Sequence, residues 1–276
     1  MITPSIGSPV RATVRLTLYA LWSLFSITVF LICRPLGQGP QRALILWHHG
    51  INCRIAGFRV EVRGAARREH PTLFVCNHMS YFDIPIIGAL VDGCFVAKSE
   101  VRTWPVIGIM ARLQRSVFIE RVARRAADHR NELLDRLEGG DNLILFPEGT
   151  SSDGNGVLPY KSSLFAIAQS EVKGRPVVVQ PVSIAYTKLD GMPLGRYLRP
   201  FFAWYGDMDL ASHLWQALAL GRCTVVVEFH PAVTIADFGS RKALSEHCQR
   251  AATEGVAAAI SDRPSRRPEV PETAAA

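Results

Sequence analysis

The sequence lacks most of the short signatures that settle a function at once. Its six cysteines (Cys33, Cys53, Cys76, Cys94, Cys223 and Cys248) form no C-x-x-C pair and no zinc-ligand spacing. Several lie inside apolar runs, where a free thiol behaves as a small hydrophobe. A reducing compartment and no structural metal are therefore expected. No G-x-S-x-G nucleophile elbow occurs, which argues against a serine hydrolase. No Walker A pattern occurs either, which removes the P-loop nucleotidases. Internal repeats are absent. Neither sign of charge dominates: 31 Lys plus Arg stand against 24 Asp plus Glu, a balance of +7. That excess suits an anionic membrane surface, an acidic protein or nucleic acid without choosing among them. The arginine pair Arg266-Arg267 in the tail reads as solvated, so nucleic acid is not expected as a partner.

Charge is missing altogether from Leu16–Cys33, "LTLYALWSLFSITVFLIC". As a helix this stretch reaches about 27 Å, one hydrocarbon thickness. The poor small-residue pattern in the following "RPLGQGPQR" argues against a cleaved signal peptide. A membrane anchor is expected, either spanning or held in one leaflet with help from Ala43–Trp47. Arginines flank the run on both sides, so the positive-inside rule assigns no orientation. Residues 1–50 read as the anchoring segment and 51–260 as one folded domain. Residues 261–276, rich in proline and charge, read as a disordered tail.

Between the ends, short β-branched runs alternate with helical patterns. Strands are expected at Arg59–Val62, Thr72–Cys76, Cys94–Ala97, Ser116–Ile119, Leu143–Phe146, Val177–Tyr186 and Thr224–Phe229. Helices are expected at Ile84–Val91, Val122–Glu138 and Lys161–Ser170. This alternation implies an α/β fold: a mixed, partly parallel sheet flanked by helices. Pro181 interrupts its strand, which implies an edge, a bulge or a strand end.

Three polar clusters follow three of these strands: Asn77-His78, Glu120-Arg121 and Glu148-Gly149. Open α/β sheets bind ligands beyond the carboxyl ends of their strands, so the three point to one site. His78 suits proton transfer near neutral pH. Asp83, as the cap of the next helix, meets it if the chain turns between them, and would fix its tautomer. Taken singly, each cluster reads equally well as a turn, a hairpin or a surface ion pair. The aromatic stretch Tyr197, Phe201, Phe202, Trp204 and Tyr205, with Arg196 and Arg199, reads either as core packing with solvated arginines or as an interfacial belt.

In this order the motifs resemble those of the glycerolipid acyltransferases, the phosphatidic-acid-forming family. Asn77, His78 and Asp83 match the first motif; Phe118, Ile119 and Arg121 match the second. Phe146–Thr150, "FPEGT", matches the third in full, and Pro181 the fourth. The resemblance, from about residue 55 to 235, implies a single acyltransferase domain with no cofactor. A fatty acyl group would pass from an acyl carrier protein or coenzyme A thioester to the hydroxyl of a lysolipid. It also implies His78 as general base and Asp83 as its partner. Arg121, Glu148 and Gly149 would shape the acceptor site, with Asn77, Phe118, Thr150, Lys161 and Pro181 as further substrate-binding positions. The common third motif continues Thr-Arg-Ser, its arginine holding the acceptor phosphate, whereas here Ser151 follows Thr150. This departure, with "AWYGDMDL" and "FGSRKALS", resembles the bacterial subgroup that acylates lyso-ornithine lipid, whose acceptor carries an amino acid in place of glycerol phosphate. Lyso-ornithine lipid is the expected acceptor, with lysophosphatidic acid, or use of both, the alternative. The expected place is a bacterial cytoplasmic membrane, with the site facing the cytoplasm. A non-catalytic lipid-binding protein, the rival from another class, would have no need for both His78 and Asp83.

Overall fold

The computed structural model describes residues 7–68, 71–104, 107–119 and 126–265. Two long helices come first. Helix α1 (Pro9–Cys33) is opened by Ser8, whose Oγ accepts the Arg11 N–H, and α2 (Gln38–Ala56) follows. They lead into β1 (Phe58–Arg63), β2 (Thr72–Cys76), α3 (Asp83–Gly88), β3 (Cys94–Lys98), α4 (Ile107–Leu113), β4 (Val117–Ile119), α5 (Ala126–Glu138) and β5 (Leu143–Leu145). A short pair, β6 (Glu171–Val172) and β7 (Arg175–Pro176), precedes the long β8 (Val178–Leu189) and its partner β9 (Met192–Pro193). Helix α6 (Leu210–Ala219), β10 (Cys223–Phe229) and α7 (Arg241–Ile260) complete the described elements.

The main sheet has the order β1-β10-β8-β2-β5-β3-β4, with β9 paired to β8. Strands β8, β2, β5, β3 and β4 run parallel, whereas β10 is antiparallel to β8 and carries β1 parallel to itself. All five residues of β2 are buried. Strand geometry sends alternate side chains to opposite faces, and here Phe74 and Cys76 join one core while Leu73 and Val75 join the other. That two-sided burial explains the unbroken apolar run Thr72–Cys76, the mark of a covered parallel strand. Helix α3 closes the first face through Ile86 and Ile87. Helix α7 closes the second through Leu244, Cys248 and Ala252.

The N-terminal helices join this core at one end. Arg15 donates to the carbonyls of Leu218 and Leu220, at 3.1 and 2.8 Å, at the C-terminal end of α6. Gly57 ends α2 in the left-handed region at φ +85°, and a Cβ there would fall 2.0 Å from the Arg15 guanidinium. Trp22 donates to the His48 carbonyl and meets Trp47 edge-on at 4.5 Å, tying α1 to α2. The outer side of α1 has no such partner: Leu21, Leu24, Leu31 and Ile32 are each more than half exposed.

Several expectations change. Pro181 is neither at an edge nor at a strand end but inside central strand β8, opposite Val75. Its carbonyl accepts the His230 N–H just beyond the last residue of β10. In a strand a residue's N and C=O face the same neighbour, so the missing N–H falls past the end of that ladder and breaks no bond. The segment expected as an α-helix at Lys161–Ser170 is a 3-10 helix over Ser162–Gln169. Asp83 does not cap α3, because it lies within the first turn and its carboxylate reaches backward along the chain. The start of the helix expected at Val122 lies outside the described residues, and the helix is seen from Ala126.

Candidate active site

The site is built on the loops that leave β2 and β5, neighbours in the sheet. Beyond β2 the chain makes a tight turn, with Asp83 N–H donating to the Ser80 carbonyl at 3.0 Å. Inside it the Asp83 carboxylate is fully buried. Its Oδ2 takes the backbone N–H of Met79 and Ser80 at 2.8 and 2.9 Å and lies 2.8 Å from His78 Nδ1. Its Oδ1 accepts the Tyr186 hydroxyl at 2.9 Å. Four donors on one carboxylate offset the cost of burying its charge. Burial and the Asp83 charge push the Tyr186 phenol well above its ordinary value, so it stays a donor.

With Nδ1 facing a carboxylate, the His78 proton belongs on Nδ1 and the lone pair on Nε2. The ring lies against Phe146, centroids 4.2 Å apart and 21° from parallel, and its side chain keeps 22% exposure. It is thus held in orientation yet reachable. Asn77 fixes the loop to β8: its Nδ2 donates to the Ile184 carbonyl and its Oδ1 accepts the Ile184 N–H.

The second loop, after β5, supplies Glu148. Its Oε1 accepts the His78 backbone N–H at 2.9 Å. Burial raises its pKa from 4.5 to about 8 against the opposing pull of the His78 and Leu158 N–H groups, with Asp83 adding to the rise. Near neutral pH Glu148 therefore carries a proton most of the time. Gly149 turns the loop at φ +70°, a backbone region that favours glycine. Ser152 N–H then donates to the His78 carbonyl, so the two loops are stitched twice.

Other expected residues are placed differently. Thr150 is exposed beside this stitch. Lys161 is exposed too, but its backbone N–H binds the Pro147 carbonyl, which brings it to the base of the same loop. Phe118 is half-buried on the edge strand β4, two strands beyond β5. Pro181 lies beside Val75, at the level of the catalytic strand but inside the sheet. Glu120 and Arg121 fall outside the described residues.

The expected aromatic stretch divides. Phe202 is core, Tyr197 is 91% exposed, and Trp204 works at the site. Trp204 N–H donates to the Met79 carbonyl at 2.8 Å, and its own carbonyl accepts the Ser151 hydroxyl. Arg199, expected either solvated or at an interface, is buried. Its guanidinium binds the carbonyls of Tyr186 and Leu194 and the Asn155 side chain, because three chain segments converge there with acceptors to satisfy. Sequence reasoning missed Tyr186, Arg199 and Trp204 as supports of the site. A tyrosine ending a mostly apolar strand was the one available signal, since a buried hydroxyl needs a partner.

Comparisons with known proteins agree with this geometry. Residues 58–185 match the family model described as acyltransferase. A lyso-ornithine lipid O-acyltransferase of Rhizobium meliloti is 42% identical over 240 residues, covering 86% of this chain and 82% of that protein. The chain belongs to the glycerolipid acyltransferase family. A 1-acyl-sn-glycerol-3-phosphate acyltransferase of Neisseria gonorrhoeae is also similar, at 32% identity over 72% of this chain and 74% of its own. Among solved structures, a 1-acyl-sn-glycerophosphate acyltransferase from Thermotoga maritima shares the fold, with a TM-score of 0.66 at 22% identity over 93% of this chain and 97% of that one. As a member of the family, the protein is an O-acyltransferase with a lysolipid acceptor.

Proposed function

We propose that this acyltransferase makes ornithine lipid by acylating the hydroxyl of lyso-ornithine lipid, at a membrane, from an acyl carrier protein or coenzyme A thioester. In this mechanism the lipid hydroxyl gives its proton to His78 Nε2 as its oxygen attacks the thioester carbonyl carbon. The Nδ1–H bond to Asp83 steadies the imidazolium that forms. The tetrahedral intermediate collapses with loss of the thiolate, which takes the proton back from His78. Glu148, Gly149 and Thr150, with Lys161 and Phe118, border the acceptor, and Arg121 joins them on the sequence pattern alone. Asn77 and Pro181 act from the strand side. The apolar outer side of α1 rests in the bilayer. The expected location is the cytoplasmic membrane of a bacterium.

The observation that carries the choice of acceptor is Ser151. At the position where the common motif places a phosphate-holding arginine, a serine hydroxyl is committed to the Trp204 carbonyl. The nearby buried cation, Arg199, is likewise committed to three acceptors. A headgroup without glycerol phosphate is consistent with that. The similarity to the lyso-ornithine lipid enzyme of Rhizobium meliloti supports the same reading. The second reading, lysophosphatidic acid, is supported by the Neisseria relative and by exposed Lys161 beside the Pro147 turn, where it suits an anion.

The test is kcat/KM for both acceptors in wild type and Ser151→Arg, in one detergent. Wild type should prefer lyso-ornithine lipid. Ser151→Arg should shift the ratio toward lysophosphatidic acid by about one to two decades, the size of a charge-assisted contact made in the transition state. A wild type that prefers lysophosphatidic acid, with no change on substitution, would reverse the assignment.

A further inference from the structure

Positive charge is concentrated in one part of the chain. Lys98–Arg130 holds eight Lys and Arg against three Asp and Glu, so this segment carries five of the seven excess charges. It begins at the end of β3, on the same edge of the sheet as His78.

Two described arginines there form a ledge. Arg102 lies in the last turn of the 3-10 helix Ser99–Thr103 and Arg112 lies in α4; both are exposed. Gly108 joins them. A Cβ at Gly108 would fall 2.4 Å from the Arg102 carbonyl, and Arg112 Nε donates to the Gly108 carbonyl at 3.1 Å. Neither arginine makes an ion pair within the described residues.

The ledge is connected to the mouth of the site. Trp104, two residues after Arg102, meets Trp204 edge-on at 5.9 Å and 89°. Trp204 in turn holds the Met79 carbonyl through its N–H and the Ser151 hydroxyl through its carbonyl, one contact on the loop that carries His78 and one on the loop that carries Glu148. The β3 exit and the segment that follows β9 therefore meet across the strands that carry His78 and Glu148.

We propose that Arg102 and Arg112 are the docking surface for the acyl donor when that donor is a small acidic carrier protein, which presents its thioester past Trp104 to His78. The proposal rests on the acyl-transfer reading above. Charge complementarity is its physical basis. Exposed guanidinium groups with no carboxylate partner suit a broad acidic face, whereas a compact phosphate is held by converging donors in a concavity. Charges so placed act mainly on encounter, so their effect belongs in KM and in salt dependence.

The test uses the full chain in detergent, one lysolipid, and one acyl chain carried on three donors: acyl carrier protein, coenzyme A and uncharged pantetheine. In Arg102→Glu/Arg112→Glu, KM for the carrier-protein donor should rise at least tenfold with kcat unchanged. The fall of kcat/KM with added salt should flatten, and transfer from pantetheine should be unaffected. Arg102→Lys/Arg112→Lys should restore most of the affinity. An unchanged carrier-protein KM would overturn the proposal, as would a parallel loss with all three donors. A loss confined to coenzyme A would also overturn it, and would make the ledge a phosphate subsite. If wild type transferred from none of the three, the acyl-transfer reading itself would fall, and the docking surface with it.

Discussion

The catalytic turn and the outer side of α1 treat water in opposite ways. In the turn a carboxylate, Asp83, is fully buried and every approach to it is filled: two backbone N–H groups, an imidazole and a phenol. On α1, leucines and an isoleucine stand more than half exposed with nothing against them. The first region invests hydrogen bonds to keep one charge out of water. The second leaves apolar area in water, which is tolerated only if another apolar phase covers it, at about 1.5–3 kcal/mol for each large side chain fully buried. The buried turn and the exposed apolar helix are thus separable in this protein, although both lie at the strand-end edge of the sheet.

That separation can be broken first at Asp83. Asp83→Ala leaves four donors without an acceptor. Removing one partner of such a buried network costs about 3–5 kcal/mol, and losing the group that orients the base costs about 10⁴-fold in kcat. Thermal unfolding and turnover should fall together. A variant of normal stability and activity would mean that the turn is held by other contacts.

At α1 the opposite pattern is expected. Leu24→Asp combined with Ile32→Asp should move the protein from the membrane fraction to the soluble fraction after a high-salt wash, with the melting temperature changed by only a few degrees. Both residues face away from the core, while Ala12 and Arg15, which anchor the helix to the domain, stay in place. Retention in the membrane would place attachment elsewhere, at exposed Tyr197 and its neighbours.

A smaller effect distinguishes Glu148 from Asp83, since both are buried carboxylates beside His78. Glu148 has its folded pKa raised, from 4.5 to about 8. The folded state therefore holds a proton that the unfolded state releases across this range. The stability contributed is complete below about pH 4.5 and is lost as pH rises through 8. Glu148→Gln, which keeps an acceptor for the His78 N–H, should flatten the decline of stability between pH 5 and 8. Parallel stability curves for wild type and variant would mean that Glu148 ionises as an ordinary carboxyl.

Much of this arrangement was legible in the chain because it is local. Asn77, His78 and Asp83 lie within one turn, and Phe146–Thr150 within another, so spacing alone brought the chemistry to strand ends. What supports them comes from far along the chain. Tyr186 is 103 residues from Asp83 and Arg199 is 44 from Asn155, and no periodicity links such pairs. Trp204 was ambiguous for another reason: it acts through its backbone, and sequence reports side chains. Pro181 was misread because the general cost of proline in a strand holds only where its N–H would have had a partner. Asp83 was assigned a cap by its position before Ile84-Pro85, yet its carboxylate found better donors behind it.

The central claim is that His78 removes a proton from the lipid hydroxyl and that the acyl group passes to it directly. The most direct measurement is steady-state and rapid-quench acyl transfer from a defined thioester to lyso-ornithine lipid, with wild type beside His78→Ala. The predicted result is intersecting initial-velocity patterns and no acyl-protein in the quenched samples. In His78→Ala, kcat should fall by about 10²–10⁴-fold with the fold retained and the melting temperature only modestly lowered, because the His78 side chain is partly exposed and Asp83 keeps its other three donors. A burst of acyl-protein, ping-pong kinetics, or a His78→Ala enzyme that keeps its rate would contradict it.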